Sequence, residues 1–390
     1  MKRVFAWFMI VAMLAACLCG CGNSGTEKDA EKENKIEDTE SAITVTDLDG
    51  KTYTFDEPLD KVIVQWSGAG GPFIPMSAFF GKDVYKHIAA MDNTLQDNRA
   101  DMWENYLKTV PELADLPVVG GLDSDECNVE LALSCGADAV ITPIGMKASI
   151  QDSIQPKLEE AGIPVIYVDY HSETIENHTK STELLGQLFG KEEIAQQMID
   201  TYVSHVTNVY DRVEELLKTN ERPTVYTEVG MGGPDEYGNS ATNSYMWGAI
   251  AYNCGGTSIG DGVLQNTGAL EAEYIISTNP DKIIFSGSYW PANETSIRMG
   301  FQADEDTTRE LVAAYLERPG WSELDAVKNG EVYVLHHGAA REIFDYCSVE
   351  AMAKSIWPEE FADLDPEASL REFFETFLPY EFSGLWYLEY

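Results

Sequence analysis

The chain has 390 residues, with 66 acidic side chains against 26 lysines and arginines, and a formal net charge of −40. Such an acidic chain is a poor partner for nucleic acid, whose phosphates are neutralised by lysine and arginine. The same charge argues against electrostatic attachment to an anionic membrane. The length suggests two domains or lobes.

Residues 1–20 are typical of a secretory signal peptide. A basic start, MKR, precedes an apolar run over residues 4–18, which is shorter than the ~20 residues of a membrane-spanning helix. Within LAACLCGC, both LAAC and LCGC resemble a lipobox, the bacterial signal in which a cysteine is acylated. Cys21 is the expected lipid-attachment site, with Cys17 as the alternative. A metal site here is disfavoured, because cleavage removes most of the segment.

The rest of the chain divides into a tether and a folded part. Residues 21–42 are polar and contain one large apolar residue, Ile36. Such a segment buries too little apolar surface to fold, so we expect a lipid-anchored flexible tether. We expect an N-terminal α/β lobe over 43–180, a connecting long helix over 181–220, and a C-terminal α/β lobe with terminal helices over 221–390.

The predicted elements begin with a hairpin. ITVTDLDGKTYTF alternates apolar and polar residues around the turn dipeptide Asp49-Gly50. KVIVQW then predicts a buried strand that leads into a glycine-rich loop, SGAGGPF. Further strands are predicted by DAVITP, PVIYVDY, PTVYTEV, DKIIFSG and EVYVLHH. Helical patterns such as VELALSCG and IQPKLEEAG lie between them, so parallel sheets covered by helices are expected.

Two segments, one in each half, share a pattern. Glu130 and Glu273 are each followed eight positions later by an aspartate, Asp138 and Asp281, and then by an apolar run. Each segment predicts a helix with a glutamate in its first turn, a tight turn and a buried strand. The match suggests two similarly built lobes.

The segment between the halves predicts a long helix. Residues 181–220 contain no proline, and apolar residues recur at spacings of three and four from Ile194 to Leu217. About 28 helical residues would span about 42 Å, which is long enough to bridge two lobes. A helical connection predicts restrained lobe motion rather than wide closure.

Four motifs in chain order carry a resemblance to a known family: VTDLDGKTYTF…KVIV, VELALSCGADAVIT, LEAEYIISTNPDKIIF and RPGWSELDAVKNGEVYVL. With the long helix, they resemble the substrate-binding lipoproteins of bacterial ABC importers for iron complexes, which include siderophore, haem and cobalamin binders. The resemblance covers about residues 43–379. It departs at Gly136-Ala137-Asp138, where the family usually has Pro-Asp, and we expect only a turn to change.

The resemblance implies two Rossmann-like lobes with central parallel sheets, joined by a single long α-helix. It implies an extracytoplasmic, lipid-anchored protein without enzymatic activity or resident cofactor. Its cargo would be an iron–siderophore or a similar metal chelate, and its partner an ABC permease; we expect a monomer. The resemblance further implies that Glu130 and Glu273, one per lobe, dock on permease arginines. A glutamate in the first turn of a helix also interacts favourably with the helix dipole.

Side chains that follow the predicted strands are the candidates for the cargo site, because such loops face the ligand crevice of open α/β sheets. A large chelate needs broad apolar faces and a few fixed donors or cations, and guanidinium suits carboxylate or oxyanion edges. Each aromatic residue fits the core equally well. The candidates are Trp66, Tyr170, His171, Tyr289, Trp290, Arg298, His336 and Arg341.

Two other functions remain open. One is a binder of a free transition-metal ion or an oxyanion, and a bare metal site would draw on His171 and His336, which follow predicted strands. A surface hydrolase would use Ser258 in GTSIG, which matches the G-x-S-x-G elbow but lacks the flanking strand and helix.

The other histidines and the cysteines favour structural roles. His178 and His205 are expected on the surface or in the core. No CxxC motif is present in the mature part, so buried thiols or one or two disulfides are favoured over a zinc site. These cysteines are Cys127, Cys135, Cys254 and Cys347. We therefore assign no metal ligands from the sequence.

Overall fold

The computed structural model describes residues 42–125 and 127–390. The predicted signal peptide, Cys17, Cys21 and all of the tether except its last residue lie outside these ranges. No helix within the described ranges is both long and apolar enough to cross a membrane.

The N-terminal lobe contains a hairpin and a parallel sheet. Its strands are β1 (Ile43–Thr46), β2 (Thr52–Phe55), β3 (Val62–Val64), β4 (Ile88–Met91), β5 (Ala139–Pro143) and β6 (Val165–Val168). β1 and β2 pair antiparallel, as predicted. The other four form a parallel sheet of order β4-β3-β5-β6.

Every residue of β3, β4, β5 and β6 is buried, because helices cover the sheet, as parallel sheets require. Burial on both faces gives these strands continuous apolar runs, which is why β3, β5 and β6 were predicted from the sequence. The helices of this lobe are α1 (Phe73–Phe80), α2 (Thr94–Asn98), α3 (Ala100–Thr109), α4 (Val129–Ser134), α5 (Lys147–Ile150) and α6 (Gln155–Glu160).

The connection differs from the single helix predicted over 181–220. It consists of two helices, α7 (Ile175–Phe189) and α8 (Glu192–Leu216). α7 ends because Gly190 adopts the left-handed conformation with φ 62°, which glycine tolerates. The 25 residues of α8 span about 38 Å. The buried side of α8 follows the predicted spacing: Ala195, Met198, Tyr202, Val206, Val209 and Val213.

The C-terminal lobe is built on a second, mostly parallel sheet. Its strands are β7 (Thr224–Val229), β8 (Asn239–Ala241), β9 (Thr257–Ser258), β10 (Thr267–Ala269), β11 (Lys282–Gly287), β12 (Val332–His336) and β13 (Tyr387–Glu389). The main sheet has the order β13-β12-β11-β7-β9, and β8 pairs with β10 separately. Only the terminal strand β13 runs antiparallel in the main sheet.

The helices of this lobe are α9 (Met246–Asn253), α10 (Ala272–Thr278), α11 (Glu305–Leu316), α12 (Asp325–Asn329), α13 (Tyr346–Ile356) and α14 (Pro366–Phe377). The buried side of α8 shares one hydrophobic core with Val168 of the N-terminal sheet and Met352 of α13. α8 therefore packs on both lobes. The predicted fold of two α/β lobes with a long connecting helix is confirmed.

The repeated pattern has the same structural role in both lobes. Asp138 Oδ2 accepts hydrogen bonds from the backbone N–H groups of Asp60 and Lys61, at 2.8 and 2.9 Å. Asp281 Oδ2 accepts one from the N–H of Thr224 at 2.7 Å. Each aspartate thus ties the turn before its own strand to the start of the neighbouring strand. The departure at Gly136 leaves this contact intact.

The four described cysteines carry free thiols, so none of the proposed disulfides is formed among them. Cys254 and Cys347 are buried, and burial raises the pKa of the Cys347 thiol well above its usual value. A protonated, buried thiol behaves as a small apolar side chain.

Candidate functional site

A cavity of about 380 Å³ lies between the lobes, at the carboxyl ends of their strands. The N-terminal lobe contributes Trp66, Gly68, Ala69, Thr94, Asn98 and Arg99. The C-terminal lobe contributes Val229, Met231, Asn239, Tyr245, Met246, Thr267, Trp290, His337 and Arg341. Among these described lining residues, the charged ones are two arginines and none is acidic.

A buried carboxylate positions the loop that carries Trp66. Asp92, directly after β4, accepts hydrogen bonds from the backbone N–H groups of Trp66 at 2.6 Å and Ser67 at 3.1 Å. It also accepts one from Ser67 Oγ at 2.5 Å. Thr94 Oγ1 accepts a further bond from the N–H of Gly68 at 3.0 Å. The ends of β3 and β4 are therefore locked together at the cavity wall.

Strained backbone is concentrated around the cavity. In the described ranges, five non-glycine residues have positive φ: Trp66, Glu173, Met246, Asn279 and Arg341. Three of them, Trp66, Met246 and Arg341, line the cavity. Such conformations cost about 1–3 kcal/mol each and typically mark functional sites.

Arg99 enters the cavity from the junction of α2 and α3. Its Nη1 donates hydrogen bonds to the carbonyl of Asn98 at 2.6 Å and to Ser288 Oγ, beyond β11, at 3.2 Å. Its Nε is buried without a partner among the described residues. Burial, and then repulsion from Arg341, lower the pKa of Arg99 to about 9. The guanidinium stays charged at neutral pH and retains a free donor.

Arg341 follows β12 and has φ 72°. Its side chain is buried, and its Nε also lacks a partner among the described residues. Burial lowers the pKa of Arg341, while the carboxyl groups of Glu173 and Glu342 oppose that shift. Two buried cations facing one cavity favour an anionic ligand.

His337 supplies an uncharged donor beside the arginines. Its Nδ1 accepts a hydrogen bond from Trp247 Nε1 at 3.2 Å and lies 2.9 Å from Ser286 Oγ. Burial, followed by the charges of Arg341 and Arg99, lowers the pKa of His337 well below its usual value. The ring is therefore neutral, and its proton lies on Nε2 because Nδ1 accepts.

Three of the eight predicted ligand residues line this cavity: Trp66, Trp290 and Arg341. His171 lies behind Trp66, with the ring centroids 4.9 Å apart. Tyr170 is fully buried, and its hydroxyl lies 2.9 Å from Thr182 Oγ1. Tyr170 therefore belongs to the core, where its hydroxyl contacts α7.

The other predicted residues lie away from the cavity wall. The Arg298 guanidinium carbon Cζ lies 5.7 Å from the ring centroid of Tyr289, so these two side chains pack against each other. His336 is buried against Trp386, with the ring centroids 4.3 Å apart. His337, the first residue after β12, lines the cavity instead.

Sequence reasoning missed Arg99, Tyr245 and His337. Arg99 lies at a junction between two helices, so the search for residues after strands did not reach it. His337 directly follows a predicted strand, and the alternation of EVYVLHH places it opposite His336 without showing which of the two sides faces the cavity.

Ser258 lies on β9 outside this cavity. Its hydroxyl donates to the carbonyl of Ala241 at 2.5 Å and accepts from the N–H of Gly260 at 3.1 Å. These bonds stabilise a turn, so the side chain is not poised as a nucleophile. Glu130 and Glu273 are exposed in the first turns of α4 and α10, on opposite lobes.

Comparison with known proteins identifies the family. Residues 85–339 match the periplasmic binding protein family. The crystal structure of the TroA-like periplasmic binding protein FepB from Veillonella parvula has 45% sequence identity and a TM-score of 0.85. The match covers 89% of this chain and 99% of that one.

Two more distant proteins are also similar, one in sequence over most of its length and one in fold. An uncharacterised ABC transporter substrate-binding lipoprotein, YvrC of Bacillus subtilis, is 24% identical over 93% of this chain and 99% of its own length. The molybdate-bound MolA of Haemophilus influenzae has 14% identity and a TM-score of 0.62, covering 87% of this chain and 99% of that one. The chain belongs to the periplasmic binding protein family, the substrate-binding components of ABC transporters.

Proposed function

We propose that this protein captures an anionic metal chelate, such as a ferric siderophore, haem or cobalamin, in the cavity between its lobes and delivers it to an ABC permease. The supporting observation is the pair Arg99 and Arg341, two buried guanidinium groups on a cavity wall without a carboxylate among its described residues. Guanidinium binds carboxylates and oxyanions strongly. Trp66 and Trp290 offer flat apolar faces to a macrocycle or a chelate ring.

A small oxyanion is the second candidate. The two arginines and His337 offer N–H donors of the kind that an oxyanion needs, and molybdate-bound MolA has the same fold. A free metal cation fits this cavity poorly. His337 is the one histidine on its described wall, no carboxylate or thiolate accompanies it, and its Nδ1 already accepts hydrogen bonds.

The test is a ligand screen by native mass spectrometry, with ferric siderophores, haem, a corrinoid and molybdate as probes. We expect one class to bind with a Kd of about micromolar to nanomolar and to quench tryptophan fluorescence. Arg99→Gln and Arg341→Gln are each expected to weaken binding about tenfold to a hundredfold. Arg298→Gln is the matched control, because Arg298 lies outside the cavity. Failure of every probe to bind would contradict the proposal.

We further propose that Glu130 and Glu273 dock on the permease. Both are exposed and lie one per lobe at the start of a short helix, which suits contact with a two-part partner. Glu130→Ala with Glu273→Ala should abolish uptake while leaving cargo binding intact. Glu160→Ala with Glu310→Ala removes two exposed charges elsewhere on the two lobes and should leave uptake unchanged. Normal uptake by the first double variant would remove the docking role.

We also propose that the mature chain is a monomer, lipid-anchored outside the cytoplasm through Cys21, with Cys17 as the alternative. More than one acyl chain is needed for stable attachment. Intact-mass analysis of the membrane-extracted protein should show which cysteine is the first residue. Cys21→Ser should release the protein from the membrane. If only Cys17→Ser releases it, Cys17 is the lipid-attachment site instead. Light scattering of the protein without its lipid tests the monomer.

A further inference from the structure

Three buried side chains converge next to the cavity, on the far side of Arg341. Glu173 lies in the loop between β6 and α7, His178 in the first turns of α7, and Asp345 directly before α13. Their exposed fractions are 6%, 0% and 1%. One ligand atom from each lies within 4.8 Å of the others. None of the three lines the cavity.

The orientation of His178 is fixed by the backbone. Its Nδ1 lies 3.0 Å from the carbonyl oxygen of Thr174, which can only accept, so Nδ1 carries a proton. In the neutral ring, Nε2 then presents its lone pair to Asp345 Oδ2 at 2.7 Å. Two acceptors at that distance are held together by a cation between them, either a proton or a metal ion. Donation from the second ring nitrogen to a carbonyl is also how proteins orient metal-bound histidines.

Two carboxyl oxygens of the cluster lack a donor among the described residues. Glu173 Oε1 and Asp345 Oδ1 are both buried, and a hydrogen bond between the two carboxyl groups needs a proton on Glu173. Burying an unpaired carboxylate oxygen is unfavourable by more than a hydrogen bond normally contributes. Both atoms belong to side chains directed towards His178, so they are available as ligands.

We propose that Glu173, His178 and Asp345 bind one divalent transition-metal ion, for which Zn²⁺ is the best fit. Zn²⁺ takes imidazole nitrogen and carboxylate oxygen ligands at about 2.0–2.2 Å, and water often supplies the fourth position. The three ligand atoms already lie within 4.8 Å of one another, and side-chain rotation would have to shorten that spacing further. An ion of charge +2 balances both carboxylates at once, whereas protons do so only if the cluster binds two of them.

The other charged groups around the cluster have mixed signs. The Arg341 guanidinium is positive and opposes a cation, while Asp169 is acidic and favours one. Glu342 adds little negative charge at neutral pH, because burial raises the pKa of its carboxyl to about 8. Because Asp345 Oδ2 also accepts a hydrogen bond from the backbone N–H of Arg341 at 3.2 Å, the ion would hold this cavity residue in place. It would also link the lobes, since Glu173 and His178 precede α8 and Asp345 follows it.

The experiment uses the purified mature protein without cargo. The protein is stripped with a chelator, incubated with Zn²⁺, desalted and measured by elemental analysis and thermal unfolding. We expect about one equivalent of zinc and a higher Tm than in chelator. Glu173→Gln, His178→Gln and Asp345→Asn should each weaken zinc binding by at least about tenfold. His205→Gln is the matched control, because His205 forms an ordinary histidine–carboxylate pair with Glu350 at 2.6 Å.

A wild-type protein that retains no zinc, with the same Tm in zinc and in chelator, would overturn the proposal. Retention that the three substitutions leave unchanged would also overturn it, because the ion would then lie elsewhere. If the variants fail to fold, the absorption spectrum of the Co²⁺-loaded wild type decides: bands of bound nitrogen and oxygen ligands support the site, and the spectrum of aqueous cobalt refutes it. Cargo binding by zinc-free protein is a separate measurement, so failure of this site leaves the transport function standing.

Discussion

The backbone N–H of Gly70 donates a hydrogen bond to Glu342 Oε1 at 3.1 Å, and this bond joins the two lobes. Gly70 belongs to the loop after β3, and its neighbour Ala69 lines the cavity; Glu342 adjoins Arg341 on the opposite wall. Glu342 is buried, and burial raises the pKa of its carboxyl to about 8. The contact between the cavity walls therefore depends on a titratable group.

Glu342→Gln is predicted to remove a loss of stability at high pH. Because the folded pKa of Glu342 exceeds its unfolded value, the folded state binds more protons, and stability falls as pH rises from the unfolded pKa through about 8. We expect the wild type to lose on the order of 2 kcal/mol from this group between about pH 6 and about pH 9. The amide variant keeps the acceptor for Gly70 and avoids this loss. Urea unfolding at both pH values is the measurement; equal pH slopes for the two proteins would contradict the prediction.

His171→Phe is predicted to make the protein more resistant to acid. Burial, and then Arg341, lower the pKa of His171 to about 3, so the unfolded state binds more protons and stability falls as pH drops from about 6.5 towards 3. The expected loss from this group is about 2 kcal/mol between about pH 7 and about pH 5. Phenylalanine cannot bind a proton in either state, so the variant avoids this loss of stability. Neither ring nitrogen of His171 has a partner among the described residues, so the substitution breaks no hydrogen bond.

The control for His171→Phe is unfolding at about pH 8, where the imidazole is neutral in both states. There the variant is expected to differ from the wild type by less than about 1.5 kcal/mol. If the variant and the wild type lose the same stability on acidification, the assigned pKa shift of His171 is wrong.

Asp92→Asn is predicted to loosen the loop that carries Trp66. The amide offers one acceptor where the carboxylate serves several donors, including the N–H groups of Trp66 and Ser67. We expect a loss of about 1–3 kcal/mol in the free energy of unfolding, because buried donors lose a charged partner. Urea unfolding gives this value, and cargo titration should show weaker binding. Asp60→Asn, at an exposed position, is the control, and an equal effect there would exclude a specific role for Asp92.

Arg318→Lys is predicted to destabilise the C-terminal lobe strongly. Arg318 forms two parallel hydrogen bonds to Glu228, at 2.7 and 2.9 Å, and both residues are buried. The rings of Tyr237, Tyr315 and Trp321 surround the guanidinium. Lysine cannot form both parallel hydrogen bonds to Glu228. We expect the free energy of unfolding, measured by thermal unfolding, to fall by about 3–5 kcal/mol.

Arg309→Lys is the matched control for Arg318→Lys. Arg309 pairs with Glu305 on the exposed side of α11, where ion pairs contribute little. Its substitution should change stability by less than about 0.5 kcal/mol. Similar effects of the two substitutions would show that burial does not strengthen the Glu228 pair.

Much of the fold was predictable because its signals are local. The apolar runs of β3, β5, β6, β7, β11 and β12 reflect burial on both faces of a sheet, and the spacing in α8 reflects one buried helix face. The end of α7 at Gly190 was missed because residues 181–220 contain no proline and the glycine was not taken as a helix end. β13 was missed because its three residues pair with a strand about 50 positions earlier in the chain, which no local pattern records.

The candidate site was predictable only in part. Trp66, Trp290 and Arg341 were found because the carboxyl ends of parallel strands meet at one edge of each sheet. Arg99 was not found, since its position depends on how a helix junction packs beneath the opposite lobe, where it reaches Ser288.

The sequence by itself determined the family and the order of α/β elements in the two lobes, because apolar periodicity and short motifs are local features of the chain. The tertiary structure alone decided which residues at strand ends face the cavity and which enter the core. The physical reason is that loop direction is set by bonds between distant residues. Asp92 holds the loop of Trp66, Glu342 holds Gly70 from the other lobe, and Asp345 holds the backbone of Arg341.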